Sequence, residues 1–499
     1  MKTFRHWLFL PTLLASTAFY APASHAAAEL LAVGTLTNPF DLLTATSGAL
    51  ENGVAGNTLG GIGSGLAWAG GSTFLALPDR GPNANSYNAL VEDTTSYISR
   101  FQTVNLALTP VANGNLAFTL TPTLTATTLL SSQTPLVYGT GALGTGGTNT
   151  LGSGIPALNA TNNTNYFTGR SDGFAFSGTT VVGGKTLYLG NSGNPNNARL
   201  DPEAIRVSNG TNSVFVSDEY GPYVYEFNRS TGQRVRTFTL PSNLDITKLS
   251  PVGATEISGN TVGRVTNKGM EGLAITPDGT TLVGIMQAAL EQDGGKAIRI
   301  VTIDIASGTT HEYAYKLTTG SGVSEILAIN NHEFLVDERD GNGLATNGAL
   351  AGNAAVVKQL FRIDLNGATD VTGLSGAAAL NAVAVNKTLV LDVVSALGAK
   401  GIAADHIPSK LEGLAFGADI IVNGQIEHTL YLANDNDFLA ATKLPDGTDI
   451  ANPNTFYVFG LTNTDLGATF TQQDIPEPLT LGLFGLGLAG LGLSRRRAQ

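Results

Sequence analysis

A short pattern that returns five times limits what this chain can fold into more than any other feature. Ser64-Gly65-Leu66-Ala67, Glu203-Ala204-Ile205-Arg206, Glu271-Gly272-Leu273-Ala274, Glu325-Ile326-Leu327-Ala328 and Glu412-Gly413-Leu414-Ala415 each open a brief apolar run. A polar turn follows, as in Thr276-Pro277-Asp278-Gly279 or Ser208-Asn209-Gly210, where Asp-Gly and Asn-Gly favour tight hairpins. The second run ends at Asp79, Asp218, Met286, Asp340 or Asp435. Four of the five hairpins set these markers 15 residues apart, and the fifth, Glu412 to Asp435, takes 23 with an insertion around Asp419 to Gln425. Further apolar runs at 298–303 and 360–364 raise the unit to three or four strands, the content of a propeller blade. The pattern predicts an all-β chain in which residues 34–471 form one large β-propeller domain, set at six blades. Two β-sandwich domains are the competing arrangement. Residues 139–165, rich in Gly, Asn and Thr, read as a loop insertion, and 377–400 as either helix or strand.

Composition agrees with a turn-rich globular protein and removes whole classes of chemistry. Gly accounts for 61 of 499 residues and hydrophobic residues for 42%, enough for a sizeable core. Cys is absent, which excludes a disulfide framework, a thiol nucleophile and any Cys-ligated metal centre. A metal here must be held by oxygen or imidazole. No G-x-S-x-G elbow, P-loop or H-E-x-x-H motif occurs, and the histidines (His6, His25, His311, His332, His406, His428) are scattered.

The two ends read as targeting segments. Residues 1–28 carry Lys2 and Arg5, an apolar run from Trp7 to Ala15 and small residues up to Ala28, the order of a secretory signal peptide. Residues 475–499 run from Ile475-Pro476-Glu477-Pro478 through an apolar stretch, Leu479 to Leu493, to Arg495-Arg496-Arg497. That stretch is a candidate transmembrane helix and transient membrane anchor, although shorter than the ~20 residues a comfortable span needs; the arginines would stay on the cytoplasmic side. Cutting after Ala28 and after Pro478 takes away five cations and no acid, leaving 22 Lys+Arg against 39 Asp+Glu, or −17 in place of −12. Nucleic acid is thereby excluded as an expected partner.

In a propeller, equivalent blade-start positions converge on the central channel. Glu203, Glu271, Glu325 and Glu412 then approach one axis, with Asp79, Asp218 and Asp435 close behind. Carboxylates gathered in this way must share protons, pair with cations or bind metal. Calcium, a hard cation that takes oxygen ligands, is the candidate cofactor, with those seven acids as candidate ligands. Glu203, Glu271, Glu412 and Asp218 are also the candidate catalytic residues. Arg80, Arg199, Lys268, Arg339 and Lys410 are candidates for contacting an anionic substrate, or else ion pairs that stabilise the channel mouth.

These motifs resemble a known family, the secreted bacterial proteins named for esterase-like activity of phytase. The resemblance lies in Ser64–Ala67 with Leu77-Pro78-Asp79-Arg80-Gly81-Pro82, in Asp201–Ile205 with Val216-Ser217-Asp218-Glu219-Tyr220-Gly221-Pro222, in Asn267–Ala274, and in Lys410–Ala415 with Asn434-Asp435-Asn436-Asp437-Phe438. It implies a propeller-like fold and hydrolysis of phosphate esters. Two departures stand out: Ala204 where Gly follows the acid elsewhere, and Pro78 where the family has Ser. The C-terminal segment resembles the PEP-CTERM sorting signal of Gram-negative bacteria, which implies cutting near Pro476-Glu477-Pro478 by the membrane protease exosortase and a surface, matrix or secreted destination. Three functions follow from these readings: a calcium-dependent, phytase-like phosphoesterase acting on a small anionic ester; a gluconolactonase-type lactone or sugar-ester hydrolase; and a non-enzymatic propeller that binds exopolysaccharide or protein in the extracellular matrix.

The mature N-terminus should lie within Ala27 to Glu29, and the released form should end near Pro478. Mass spectrometry of the extracellular protein checks both, and a released peptide containing Leu479 to Leu493 would refute the sorting reading.

Overall fold

Five apolar strands, Gly65–Trp68, Pro202–Val207, Met270–Ile275, Gly322–Ala328 and Leu411–Phe416, stand side by side around one axis, the last packed against the first. The computed structural model describes residues 28–138, 163–171, 191–221, 224–345, 350 and 352–475, together with the backbone of 179–182 and 185–188. Each inner strand begins an antiparallel sheet, and the five sheets are the blades of a propeller. Blade one continues through Thr73–Leu77, Arg100–Pro110 and Phe118–Leu129; blade two through Ser213–Asp218, Val224–Asn228 and Arg234–Phe238. Blade three adds Thr281–Met286, Ala297–Asp304 and Thr310–Lys316; blade four adds Glu333–Arg339, Lys358–Asp364 and Lys387–Asp392. Blade five runs Leu411–Phe416, Gln425–Asn434, Asn454–Leu461 and then Glu29–Leu36, so the first strand of the chain completes the sheet formed by the last. The short strand Ile420–Val422, in the insertion read from the sequence, pairs beside it.

The blade number is therefore five among the described residues, not the expected six. Each of the five motif copies is one inner hairpin. No sixth inner strand is described, and Glu29–Leu36 serves as the outer strand of blade five. Segment 377–400 supplies both alternatives: a helix at Ala377–Ala382, the outer strand of blade four at Lys387–Asp392, and a second helix at Val393–Ala399 whose N-terminus is capped by the Asp392 side chain. Most of the expected insertion, the signal peptide before Ala28 and the candidate anchor 479–493 lie outside the described residues. Among the described residues no helix is long and apolar enough to cross a membrane.

Strand sequence follows position in the blade. Every residue of Pro202–Val207, Met270–Ile275 and Leu411–Phe416 is buried, which is why these runs are apolar on both faces rather than alternating. Outer strands such as Phe118–Leu129 bury only a few positions. Between neighbouring sheets the core is continuous: Phe215 of blade two, Leu273, Ile285 and Ile300 of blade three and Ile326 and Phe334 of blade four form one cluster. Each such side chain contributes roughly 1.5–3 kcal/mol when fully buried.

The glycine of the repeated motif has a steric cause. A Cβ at Gly272 would lie 2.7 Å from Ile326 N and 2.8 Å from Glu325 Cα, and one at Gly413 would lie 2.9 Å from Gly63 O. The inner strands of adjacent blades touch backbone to backbone at this level, so the ring is at its narrowest. One guanidinium fills what remains of the channel. Arg206 of blade two donates to Leu66 O at 2.6 Å in blade one and to Ile326 O at 3.1 Å in blade four, and pairs with Glu325 at 2.8 Å. Glu325 in turn accepts from Leu273 N of blade three at 3.0 Å and from Ile326 N at 2.9 Å.

Replacing Arg206 by Met should leave Glu325 buried without its cation and cost about 3–5 kcal/mol, whereas R206M combined with E325Q should recover most of that loss. Urea unfolding of the two single variants and the double variant measures the coupling; additive losses would mean that the pair does not bridge the blades.

Candidate functional site

The blade-start acids reach the channel because the first two strands of most blades are out of step by one residue. Pairing passes from Met270 with Met286 to Gly272 with Ile285, and from Leu411 with Asn434 to Gly413 with Ala433, which leaves Glu271 and Glu412 as bulged residues. A similar slip between Pro202 and Ile205 frees Glu203. In blade four the slip falls between Val323 and Glu325, so Ser324, not Glu325, stands in the equivalent place. Glu325 lies one residue deeper, at the level of Gly272 and Gly413, where Arg206 holds it. In blade one the pairing of Gly65 with Leu77 makes Ser64 the counterpart. By the same register the second strands end at the mouth in Asp79, Glu219, Gln287, Arg339 and Asp435, a second tier above the first.

Together the two tiers line a cup at the end where the inner strands begin. Arg339 pairs with Glu412 and lies 3.6 Å from Glu271, and its Nε donates to Ser324 Oγ. Gln287 Nε2 donates to Glu271 Oε1 at 2.7 Å, leaving Oε2 buried with no hydrogen-bond partner among the described residues. Lys410 donates to Asp435 at 2.7 Å and to Asp437 at 2.6 Å, and these two carboxylates with Asp79 bring oxygens within 4.8 Å of one another. Opposite them Asp201, Glu203 and Glu219 bring oxygens equally close, and all three residues are buried. Arg80 takes Asp201, at 2.8 Å, together with Asn267 at 2.5 Å. Among the described residues Glu219 Oε1 has no hydrogen-bond partner, and the charged neighbours of Glu203 are the acids Glu271, Asp201, Glu219 and Asp79.

The remaining candidates are placed outside the cup or behind it. The Asp218 carboxylate turns back to accept from the backbone N–H groups of Asp201 and Tyr220, each at 3.1 Å, so it shapes the loop that carries Glu219. Arg199 pairs with Glu92 at 3.0 Å and stacks on the Tyr220 ring 3.1 Å from its centroid, as a buttress. Lys268 is exposed just before the inner strand of blade three. Reading the sequence missed Asp201, Glu219, Gln287, Ser324, Asp437 and Asn267 as cup residues. A constant spacing of 15 hides a bulge, and the bulge moves the second-tier position of blade two from Asp218 to Glu219.

Burial sets the charge state of the cup. It raises Glu203, Glu219 and Asp79 well above the usual carboxylate range, reinforced by the neighbouring acids. Burial and then Glu412 push Glu271 up to about 8, against the pull of Arg339. Asp201 goes the other way: burial opposes its ionisation, but Arg80 and Arg199 outweigh burial and hold it low. The cup thus contains one firmly ionised carboxylate beside several that resist ionisation, a charge pattern that either protons or a cation would satisfy.

A carboxyl raised in the folded state stabilises the fold only while protonated, so this contribution is present below about 4.5 and is lost as pH climbs through about 8 for Glu271. A tenfold change in acidity corresponds to about 1.4 kcal/mol. Protein stripped of divalent ions should therefore melt lower at pH 8 than at pH 5, and Glu271→Gln should flatten that slope; thermal melts across the range test it, and an unchanged slope in the variant would remove Glu271 from the cause.

The family described as phytase-like, esterase-like activity of phytase, matches residues 57–438, and the PEP-CTERM protein-sorting motif matches residues 474–497. An uncharacterized secreted protein of the fungus Arthroderma benhamiae is 30% identical over 342 residues, covering 58% of this chain; the chain spans 60% of that relative's length. Among solved structures, a luciferin-regenerating enzyme aligns over 83% of this chain and 95% of its own, at 10% identity and a TM-score of 0.30. A putative 6-phosphogluconolactonase from Bacteroides uniformis aligns over 79% and 88%, at 11% identity and a TM-score of 0.30. The chain is an exported, cell-surface protein with a PEP-CTERM sorting motif, and it belongs to the phytase-like family.

Proposed function

We propose that the protein is a hydrolase that acts on a small anionic ester, a phosphate ester first, at the acidic cup, with a calcium ion held by Asp201, Glu203 and Glu219. The observation that carries this reading is the pair of orphaned buried oxygens, Glu219 Oε1 and Glu271 Oε2, beside a Glu203 that no cation neutralises. Buried acceptors left unpartnered are costly, and an all-oxygen, carboxylate-rich donor set suits a hard divalent cation. The companion trio Asp79, Asp435 and Asp437 fits an ion less well, because the Lys410 ammonium already sits against two of its members. When bound, calcium would supply charge neutralisation for an anionic ester and for the water that attacks it.

The residues of the cup divide the remaining work. The Lys410 side chain is 30% exposed and the Arg80 and Arg339 side chains 17% and 14%, so the rim offers positive charge to an anion entering from above. Gln287 fixes one oxygen of Glu271 and leaves the other free. Raised to about 8, Glu271 keeps a proton near neutrality and can give it to a departing alkoxide. Held at the membrane by its tail during export, and then released or retained by exosortase, such a hydrolase would work outside the cell.

Purified residues 29–475 should bind calcium and gain about 2.7 kcal/mol at a hundredfold excess over Kd. E203Q and E219Q should each abolish that gain. Glu271→Gln should keep it while lowering phosphatase turnover about 100-fold. Screening phosphate esters and lactones with and without chelator decides the reaction class. Lactone cleavage alone would favour the gluconolactonase-type reading, and calcium binding without cleavage of either would favour a surface or matrix-binding propeller.

A further inference from the structure

The chain continues past Asn454–Leu461 of blade five, and its path crosses the channel at the end opposite the cup. A short helix, Asn463–Leu466, ends at Gly467, whose φ of +63° turns the backbone. Phe470 then packs on Phe416 and His428, with ring centroids 4.5 and 4.4 Å apart, and its N–H donates to Asn463 Oδ1 at 2.7 Å. Thr471 N donates to Ile329 O of blade four at 2.9 Å. Gln473 Nε2 donates to Val207 O at 2.8 Å and to Asn209 Oδ1 at 2.6 Å in blade two. Ile475, 8% exposed, joins the apolar cluster of blades one and two that contains Ala67 and Val207. Between this crossing and Arg206 remains a space of about 40 Å³, lined by the lower ends of all five inner strands. That is room for about one water.

None of these contacts is needed to close the ring, since Glu29–Leu36 already does so. We propose that residues 467–475 are a docked strap that seals the lower mouth and delivers the sorting motif to the face opposite the acidic cup, so that a chain held by its C-terminus turns the cup away from the membrane. Undocking would expose the buried Ile475 and the half-buried ring of Phe470 to water. The inner strands hold the two mouths about 20 Å apart, taking six residues at about 3.3 Å each. The three residues of Pro476-Glu477-Pro478 reach at most about 11 Å beyond Ile475, so the motif cannot come round to the cup while the strap is docked. Substrate and cation can then enter and leave by the upper mouth alone, before and after the tail is cut.

Because the full chain has no Cys, paired cysteines report cleanly. Asp474 and Gly210 are exposed at the lower face and Lys268 is exposed at the upper one. A short bismaleimide should join D474C to G210C at least tenfold faster than D474C to K268C. F470S/I475S should cut the first yield at least fivefold, with Q473A as a milder variant and thermal melts showing that both remain folded. Equal rates for the two pairs, or yields indifferent to these variants, would overturn the strap. For the orientation, the full chain is placed on phosphatidylethanolamine–phosphatidylglycerol vesicles carrying nitroxide headgroups. A dye at S307C on a lower turn should be quenched and one at K268C should not; equal quenching, or failure to float with the vesicles, would overturn the membrane-facing assignment.

Discussion

One buried guanidinium governs the geometry of this propeller. Five inner strands close so tightly that adjacent backbones touch at Gly272 and Gly413, and the axis admits a single side chain, Arg206. Its bonds to Leu66, Ile326 and Glu325 tie blade two to blades one and four, and Glu325 extends the tie to blade three. A buried ion pair is a weak source of net stability, because desolvation offsets much of the attraction. What it supplies here is registration. The strands cannot slide along the axis without breaking bonds to carbonyls on several blades, and the height of every blade-start acid is set by that registration. The same side chain separates the acidic cup above from the small space below, so that the channel is a cup rather than a pore.

The acids above Arg206 are differentiated by their neighbours although the sequence writes them alike. Glu412 faces Arg339, Glu325 faces Arg206, Glu271 is steadied by Gln287, and Glu203 has only other acids about it. The cationic partners come from other blades or other tiers: Arg339 ends the second strand of blade four and reaches blades three and five. Four copies of one motif therefore yield four electrostatic environments, which is what a site needs if one carboxylate is to hold an ion and another a proton.

Much of this was legible from residues alone, and the failures have identifiable causes. The repeat located all five inner hairpins, and the Asn209-Gly210 and Asp278-Gly279 turns join the first two strands of blades two and three as read. Among the described residues the blades number one fewer than expected, because the closing strand Glu29–Leu36 carries no motif and its partner Asn454–Leu461 lies more than four hundred residues away. Glu325 was grouped with the other blade-start acids because its Ile-Leu-Ala suffix matches theirs, yet the bulge in blade four falls one residue earlier. Asp218 displaced Glu219 for the same reason. A bulge changes register without changing composition, and nothing in a single sequence marks it. Arg199 looked like a substrate contact because positive charge beside acids has two uses, and only the stacking on Tyr220 shows which of them it serves.

The pairing of Glu29–Leu36 with Asn454–Leu461 also orders events in time. The strand that completes blade five leaves the membrane first, and its partner emerges more than four hundred residues later. Until then Glu29–Leu36 is an unpaired apolar segment, with open backbone groups and no sheet to join. Such long-range pairing is intrinsically slow, because the loop-closure entropy falls due before any contact rewards it. Blades one to four can form sheet by sheet from local hairpins as they arrive, while the ring itself must wait for the final strand. A tail that keeps the nascent protein at the membrane surface would lengthen the interval in which that late closure can happen before the molecule diffuses among others with the same open edge.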